Sequence, residues 1–145
     1  MVEIKGYKFE EGLYYDEDHG WVRDDGELLT FGVTDFFQKL SGEIVFVELP
    51  AAGRNIEKGK PYSSIESGKW VGRLKAPLSG EIVEVNNEIG DFPYMVNEDP
   101  YGDGWIIKVR PDNKDEELKT LFTINEEFTA FIEGEEKKIK EGNRD

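Results

Sequence analysis

The six residues Gly42-Glu43-Ile44-Val45-Phe46-Val47 recur 38 positions later as Gly80-Glu81-Ile82-Val83-Glu84-Val85. Both copies open on glycine and run on in strand-forming residues, and self-similarity of this kind constrains architecture more than any single element does. Two copies are too few for a solenoid, which stacks several units in series. They suit a quasi-symmetric β-sandwich or flattened barrel, with one copy in each half and a hairpin between the halves.

The punctuation around the repeat agrees with a mainly β chain. Apolar, β-branched or aromatic runs at Leu28–Val33, Ile44–Leu49, Pro61–Ser67, Val71–Ala76, Glu81–Val85 and Trp105–Arg110 read as strands. Ile44-Val45-Phe46-Val47 lacks polar alternation and is expected to be buried on both faces. Thr34 is placed to cap a short helix over Asp35–Leu40, which Ser41-Gly42 stops. Between two strands, Ser67-Gly68-Lys69-Trp70 reads as a hairpin in which Gly68 supplies the positive φ of a tight turn.

Toward the C-terminus the period changes to that of a helix. Leu118, Leu121 and Phe122 stand at i, i+3 and i+4, and Phe128, Phe131 and Ile132 repeat the spacing. Thr123-Ile124-Asn125-Glu126 has the form of a capping box. From Glu133 onward charges crowd together, so residues 133–145 are expected to fray. Nothing resembles an interior linker, and residues 1–145 are read as one domain.

The chain has 145 residues, 32 acidic against 18 basic, and a formal charge of −14. Nucleic acid and anionic membranes both require cationic surface, so neither is expected as a partner. Without cysteine and with His19 alone there is no disulfide framework, no thiolate zinc site and no cysteine nucleophile. No Gly-x-Ser-x-Gly elbow and no phosphate loop is present. The N-terminus lacks a signal peptide's basic and apolar regions, and no apolar stretch reaches the length of a membrane span, so a cytoplasmic protein is expected.

Poor catalytic equipment shifts the expectation to a carrier or binding module. A carrier needs one attachment residue on a projecting element, and Lys69 at the tip of the expected hairpin meets that need. By composition alone Lys58, Lys60 and Lys75 are equally available, and an ordinary surface lysine has the same spacing.

Five blocks occur in order: Asp18-His19-Gly20-Trp21-Val22, Gly32-Val33-Thr34-Asp35, Ile44-Val45-Phe46-Val47-Glu48-Leu49-Pro50, Glu66-Ser67-Gly68-Lys69 and Val96-Asn97-Glu98-Asp99-Pro100-Tyr101-Gly102. Together they resemble the lipoyl-carrying H proteins of the glycine cleavage system, from about Tyr14 to about Ile132. The resemblance implies a hybrid barrel-sandwich fold with a short early helix and C-terminal helices. It implies lipoic acid in amide linkage to Lys69, with Glu66 helping the lipoylating enzyme to recognise the hairpin. Gly53 and Gly80 match glycines 16 before and 11 after the modified lysine in lipoyl domains generally. The implied protein is a non-catalytic carrier of an aminomethyl group. Its implied partners are glycine decarboxylase, aminomethyltransferase, dihydrolipoamide dehydrogenase and a lipoate ligase or lipoyl transferase.

The chain departs from the family at the residues the resemblance places beside the loaded arm, a cleft of Asp18, His19, Gly20 and Arg73. The family usually has His-Glu-Trp where this chain has His19-Gly20-Trp21, and an aspartate where it has Arg73. One carboxylate is missing, and a cation stands where the other would be. Two further readings therefore stand beside glycine cleavage. One is an H-like lipoate-binding protein carrying sulfur intermediates for a heterodisulfide-reductase-like complex, whose anionic cargo would suit Arg73. The other is an unmodified regulatory paralogue. A biotinyl carrier fits less well, because Gly68-Lys69-Trp70 lacks flanking methionines.

Overall fold

A computed structural model describes residues 1–142. In chain order the strands and helices begin with β1 (Val2–Ile4), β2 (Tyr7–Phe9), β3 (Tyr14–Tyr15), β4 (Gly20–Asp24), β5 (Leu29–Val33), α1 (Asp35–Ser41), β6 (Ile44–Glu48) and β7 (Asn55–Ile56). They continue with β8 (Pro61–Ser67), β9 (Val71–Lys75), β10 (Gly80–Val85), α2 (Asn87–Asp91), α3 (Met95–Glu98), β11 (Ile107–Pro111), α4 (Lys114–Leu118) and α5 (Glu126–Gly142).

The two copies of the repeat fall in different sheets. The first is β6, at one edge of the three-stranded sheet β6-β8-β9. The second is β10, inside the six-stranded sheet β3-β4-β5-β11-β10-β7. Inward rows from both sheets, among them Phe31, Ile82 and Val109 from one and Val47, Ile65 and Leu74 from the other, share one core. This is the mainly β barrel-sandwich the repeat and the resemblance both led us to expect. The correspondence extends to a defect: register shifts between Ile44 and Phe46 in β6, and between Ile82 and Glu84 in β10. A bulge leaves one residue unpaired and re-aims its neighbours. In both copies the isoleucine is buried, and the next two side chains face solvent. The expectation that Ile44–Val47 is buried on both faces is therefore corrected: Val45 and Phe46 are exposed.

A second core lies at the other end of the chain's path. The β1–β2 hairpin, Tyr15, Trp21, Phe36 and Tyr101 pack against Phe128 and Ile132 of α5. The Tyr101 hydroxyl donates to the Lys8 carbonyl at 2.6 Å and accepts from the Asp35 backbone N–H at 3.1 Å, while the Trp21 indole donates to the Pro100 carbonyl at 2.9 Å. The Val96–Gly102 block is thus a tie between α1 and the N-terminal hairpin.

Helix boundaries follow their caps. Thr34 Oγ accepts from the Phe37 N–H at 3.1 Å and starts α1 as expected. At α5 the cap is Asn125, whose side chain accepts from the Phe128 N–H at 2.9 Å, and not the capping box from Thr123. Leu121 and Phe122 do not extend a helix: α4 ends at Leu118, and Phe122 forms a bridge with Tyr15, pairing backbone to backbone. The expected fraying from Glu133 is also corrected, since α5 runs through Gly142. Phe131 and Ile139 pack on the second core, and Glu135–Lys138 and Glu136–Lys140 pair on the helix surface. Residues 143–145 of that expectation lie outside the described residues.

Candidate functional site

The hairpin between β8 and β9 is closed by a side chain and not by a glycine conformation. Ser67 Oγ accepts from the backbone N–H groups of Lys69 and Trp70 at 3.2 and 3.3 Å, and the Ser67 N–H donates to the Trp70 carbonyl at 2.9 Å. With serine supplying the turn's acceptor, Gly68 has no need of positive φ and does not adopt it, contrary to the sequence expectation. Trp70 then folds back under the hairpin. A Cβ on Gly72 would overlap the Trp70 ring, which meets Phe37 of α1 edge-on at 5.7 Å. Such an aromatic pair adds about 0.5–1.5 kcal/mol beyond the area it buries.

Anchored in this way, the turn projects Lys69 into solvent. Its side chain passes Gly42 at the end of α1, with Cε 3.5 Å from where a Cβ would stand. Asn97 holds that neighbour in place, accepting from the Ile44 N–H at 2.9 Å and donating to the Gly42 carbonyl at 2.9 Å. No carboxylate pairs with the Lys69 ammonium among the described residues. The competing lysines are placed differently. Lys58 donates to the Pro77 carbonyl at 2.8 Å, Lys60 pairs with Glu57 at 2.7 Å, and Lys75 ends β9. Glu66 is exposed on β8, opposite Val71 and Phe46.

Gly53 and Gly80 stand away from the hairpin, at the six-stranded sheet. Gly53 has φ +92° and donates to the Ile82 carbonyl at 2.7 Å. At Gly80 a Cβ would collide with the Arg110 carbonyl on β11. Gly53 demands glycine for its positive φ, with open space where a Cβ would stand, and Gly80 for the close approach of β11.

The four residues expected to share an arm cleft are not brought together. His19 sits at φ 66°, with its imidazole stacked between Phe36 and Phe131 and its Nε2 2.8 Å from Glu135. Burial works against ionisation of Glu135, but its contacts with His19 and Lys138 outweigh it and hold the carboxyl below the usual range. His19 therefore faces α5. Arg73 points to the outer face of β9, into a shallow depression with Glu48, Arg54 and Ser64. Its neighbour Leu74 points inward, to the small pocket that Asp18 and Gly20 line.

A residue the sequence reasoning passed over belongs with that pair. Asp16 Oδ1 accepts from the N–H groups of Asp18 and Gly20 at 2.9 and 2.8 Å. A Cβ on Gly20 would lie 3.4 Å from both Asp16 carboxylate oxygens. Gly20 brings no carboxylate of its own, yet one stands beside it. Burial raises the Asp16 carboxyl above its ordinary value, more than the Gly20 N–H lowers it, and Asp18 adds to the rise. Nothing in the local sequence distinguishes Asp16 from Glu17 or Asp18; only the turn geometry does.

Among the described residues no group of three or more His, Cys, Asp or Glu side chains is placed to hold a metal, and no helix is long and apolar enough to cross a membrane. Residues 13–135 match the family model described as glycine cleavage H-protein. The chain is 49% identical over 134 residues to a "Probable glycine cleavage system H protein" of Pyrococcus horikoshii, covering 91% of this chain and 98% of that protein. It is 43% identical over 126 residues to a mitochondrial glycine cleavage system H protein of Flaveria pringlei, covering 87% of this chain and 76% of that one. The crystal structure of a glycine cleavage system H protein from Mycobacterium marinum superimposes with a TM-score of 0.76 at 32% identity, over 87% of this chain and 99% of that one.

Two outcomes follow from the geometry. Gly72→Ala should evict Trp70 from under the hairpin, lowering stability in urea by about 1–3 kcal/mol, as overpacked substitutions do. Hairpin mobility should rise with it in hydrogen exchange, and unchanged stability with unchanged exchange at residues 67–72 would contradict the packing. For Asp16, a raised folded pKa means the wild type loses part of its stability as pH climbs through that value. Asp16→Asn removes this loss, so stability of the variant relative to wild type should grow from pH 3 to pH 7. A difference that does not vary with pH would contradict the burial of that carboxylate.

Proposed function

Because the chain belongs to the glycine cleavage H-protein family, we propose that it is the lipoyl-lysine carrier of glycine cleavage and that Lys69 bears the lipoyl group. The observation that supports Lys69 is its place at the tip of a hairpin braced from below, where its side chain is exposed and, among the described residues, no carboxylate pairs with its amine. An attachment residue must enter another enzyme's active site without unfolding its own support, and Lys58 and Lys60, tied to the Pro77 carbonyl and Glu57, do not offer that.

Lipoate supplies a disulfide whose sulfurs accept an aminomethyl group at one enzyme and release it at another. The protein's own residues present the amine, limit the freedom of its base and set the surroundings into which the arm can fold. In the carrier reading glycine decarboxylase loads the arm, aminomethyltransferase unloads it, and dihydrolipoamide dehydrogenase reoxidises the dithiol. Residues 1–145 are read as one carrier domain, of which the family model matches 13–135, with Gly53 and Gly80 shaping the scaffold behind the hairpin.

The charge argument for a sulfur cargo loses its footing. It rested on Arg73 lying in the cleft with Gly20, and Arg73 faces the opposite side of β9. The pocket beside Gly20 is lined by Asp16 and Asp18 together with Lys75, so carboxylates outnumber cations there two to one and favour a cationic amine over an anion. We accordingly read Asp18 and Gly20 as part of the arm's surroundings, and His19 as the contact that positions their turn against α5.

Incubation of the purified apo-protein with lipoate, ATP and a lipoate ligase should add one lipoyl group in the intact mass, mapped to the peptide containing Lys69. Lys69→Ala should abolish the addition and, as an exposed turn substitution, change stability by less than about 0.5 kcal/mol. Undiminished lipoylation of Lys69→Ala would refute the assignment.

A further inference from the structure

Among the described residues Lys5 and His19 are the non-glycine residues with positive φ. Lys5 sits with Gly6 in the two-residue turn of the β1–β2 hairpin, where that conformation is ordinary. His19, at φ 66°, ends the turn between β3 and β4. Its N–H donates to the Asp16 carbonyl at 3.3 Å, and the Asp16 N–H donates to the Gly20 carbonyl at 3.1 Å. A hairpin that closes by a reverse turn and one left-handed residue favours glycine or asparagine at that residue, because a larger side chain opposes the conformation. A histidine persists there only where its surroundings over-determine it.

Those surroundings come from elements remote in sequence. The imidazole is inclined by 28° to the Phe36 ring of α1 and by 25° to the Phe131 ring of α5, with centroids 4.5 and 5.6 Å away. Its Nε2 lies 2.8 Å from Glu135 Oε1, and Lys138 holds the other Glu135 oxygen at 3.2 Å. The left-handed backbone so clamped is what brings two amides onto one carboxylate: Asp18 and Gly20, on either side of His19, both donate to Asp16 Oδ1. Asp16, Asp18 and Gly20 line the pocket with Leu74 and Lys75. Contacts therefore run without a break from Glu135 through the His19 ring and backbone to the pocket wall, although no described residue of α5 lines that pocket.

We infer that Glu135 is a positioning residue for the arm pocket: by holding the His19 ring it keeps the Asp16–Gly20 turn closed around the Asp16 carboxylate, and so fixes the wall that a cationic cargo meets. The inference rests on the reading of that pocket as the arm's surroundings. Glu135 touches neither arm nor cargo and acts through His19. Without it the ring keeps its two aromatic neighbours but loses the contact that sets its rotation, and the left-handed backbone loses part of what sustains it. The Gly20 N–H then parts from Asp16, and the Thr34 N–H from the His19 carbonyl it meets at 3.0 Å.

Hydrogen exchange at the Gly20 and Thr34 amides of the unmodified protein tests this in wild type, Glu135→Ala, Glu135→Gln and the helix control Glu136→Gln. Glu135→Ala should speed exchange of both amides about tenfold more than it speeds the β10–β11 amides. Glu135→Gln still accepts from the imidazole and should stay within about threefold of wild type; Glu136→Gln, which loses a pair with Lys140, should match wild type. In a His19→Asn background, where asparagine holds the left-handed backbone unaided, Glu135→Ala should add less than about twofold. As lipoylated acceptors for glycine decarboxylase, Glu135→Ala should lose about threefold in kcat/KM through KM, and Glu135→Gln should restore it. Gly20 and Thr34 protection that is unchanged in Glu135→Ala, or that falls no further than in the sheet, overturns the proposal. So does an undiminished effect of Glu135→Ala in the His19→Asn background, or altered protection with unaltered kcat/KM. A lipoylated wild type that accepts nothing from the decarboxylase overturns the glycine cleavage reading instead, and the amides of the unmodified protein still decide the role of Glu135.

Discussion

The direction in which Lys69 leaves the protein is set beneath the hairpin, where the Trp70 ring occupies the space that a side chain at Gly72 would need. With Trp70 wedged between β9 and Phe37, the turn cannot swing as a loose loop, and Ser67 closes its backbone from above. Asn97 holds the end of α1 and the start of β6 alongside. An arm that visits several enzymes needs mobility in its own bonds and not at its root, because disorder at the root spreads the reactive end over a larger volume. The sandwich behind the hairpin serves this requirement by giving three strands of the smaller sheet a packed inner face.

Pseudo-symmetry separates what the scaffold needs from what the site adds. Both copies of the repeat carry the inward isoleucine and the bulge, so these belong to the scaffold. Phe46 against Glu84 is where the copies diverge, and the divergence lies on the side of the hairpin. Gly53 and Gly80 belong to the scaffold on local grounds: one shapes a turn by its positive φ, the other lets β10 approach β11.

Much of this was legible in the residues. Two glycine-led strands in separate halves, the Thr34 cap and the hairpin around Lys69 were all readable, because each is decided by contacts a few residues apart. The five ordered blocks carried the family. What failed depended on partners distant in sequence. Ile44–Val47 looked doubly buried because a bulge leaves no mark on an apolar run. The charged end of α5 looked frayed because its support comes from the aromatic cluster and from His19, 116 residues before Glu135. His19 and Arg73 seemed to share a cleft because they were matched to family positions, whereas side-chain direction is set by strand parity and by the left-handed turn at His19. Asp16 escaped notice because only a folded turn can single out one carboxylate among three.

The carrier reading and the cargo reading meet at the pocket beside Gly20, which Asp16, Asp18 and Lys75 line and in which Arg73 takes no part. Cargo is therefore the decisive observable. The direct measurement is glycine-dependent exchange of labelled bicarbonate by purified glycine decarboxylase, with the lipoylated protein as the acceptor. Saturable exchange that requires both the lipoyl group and Lys69 is the predicted result. A fully lipoylated protein that supports no exchange above the decarboxylase alone would contradict the account.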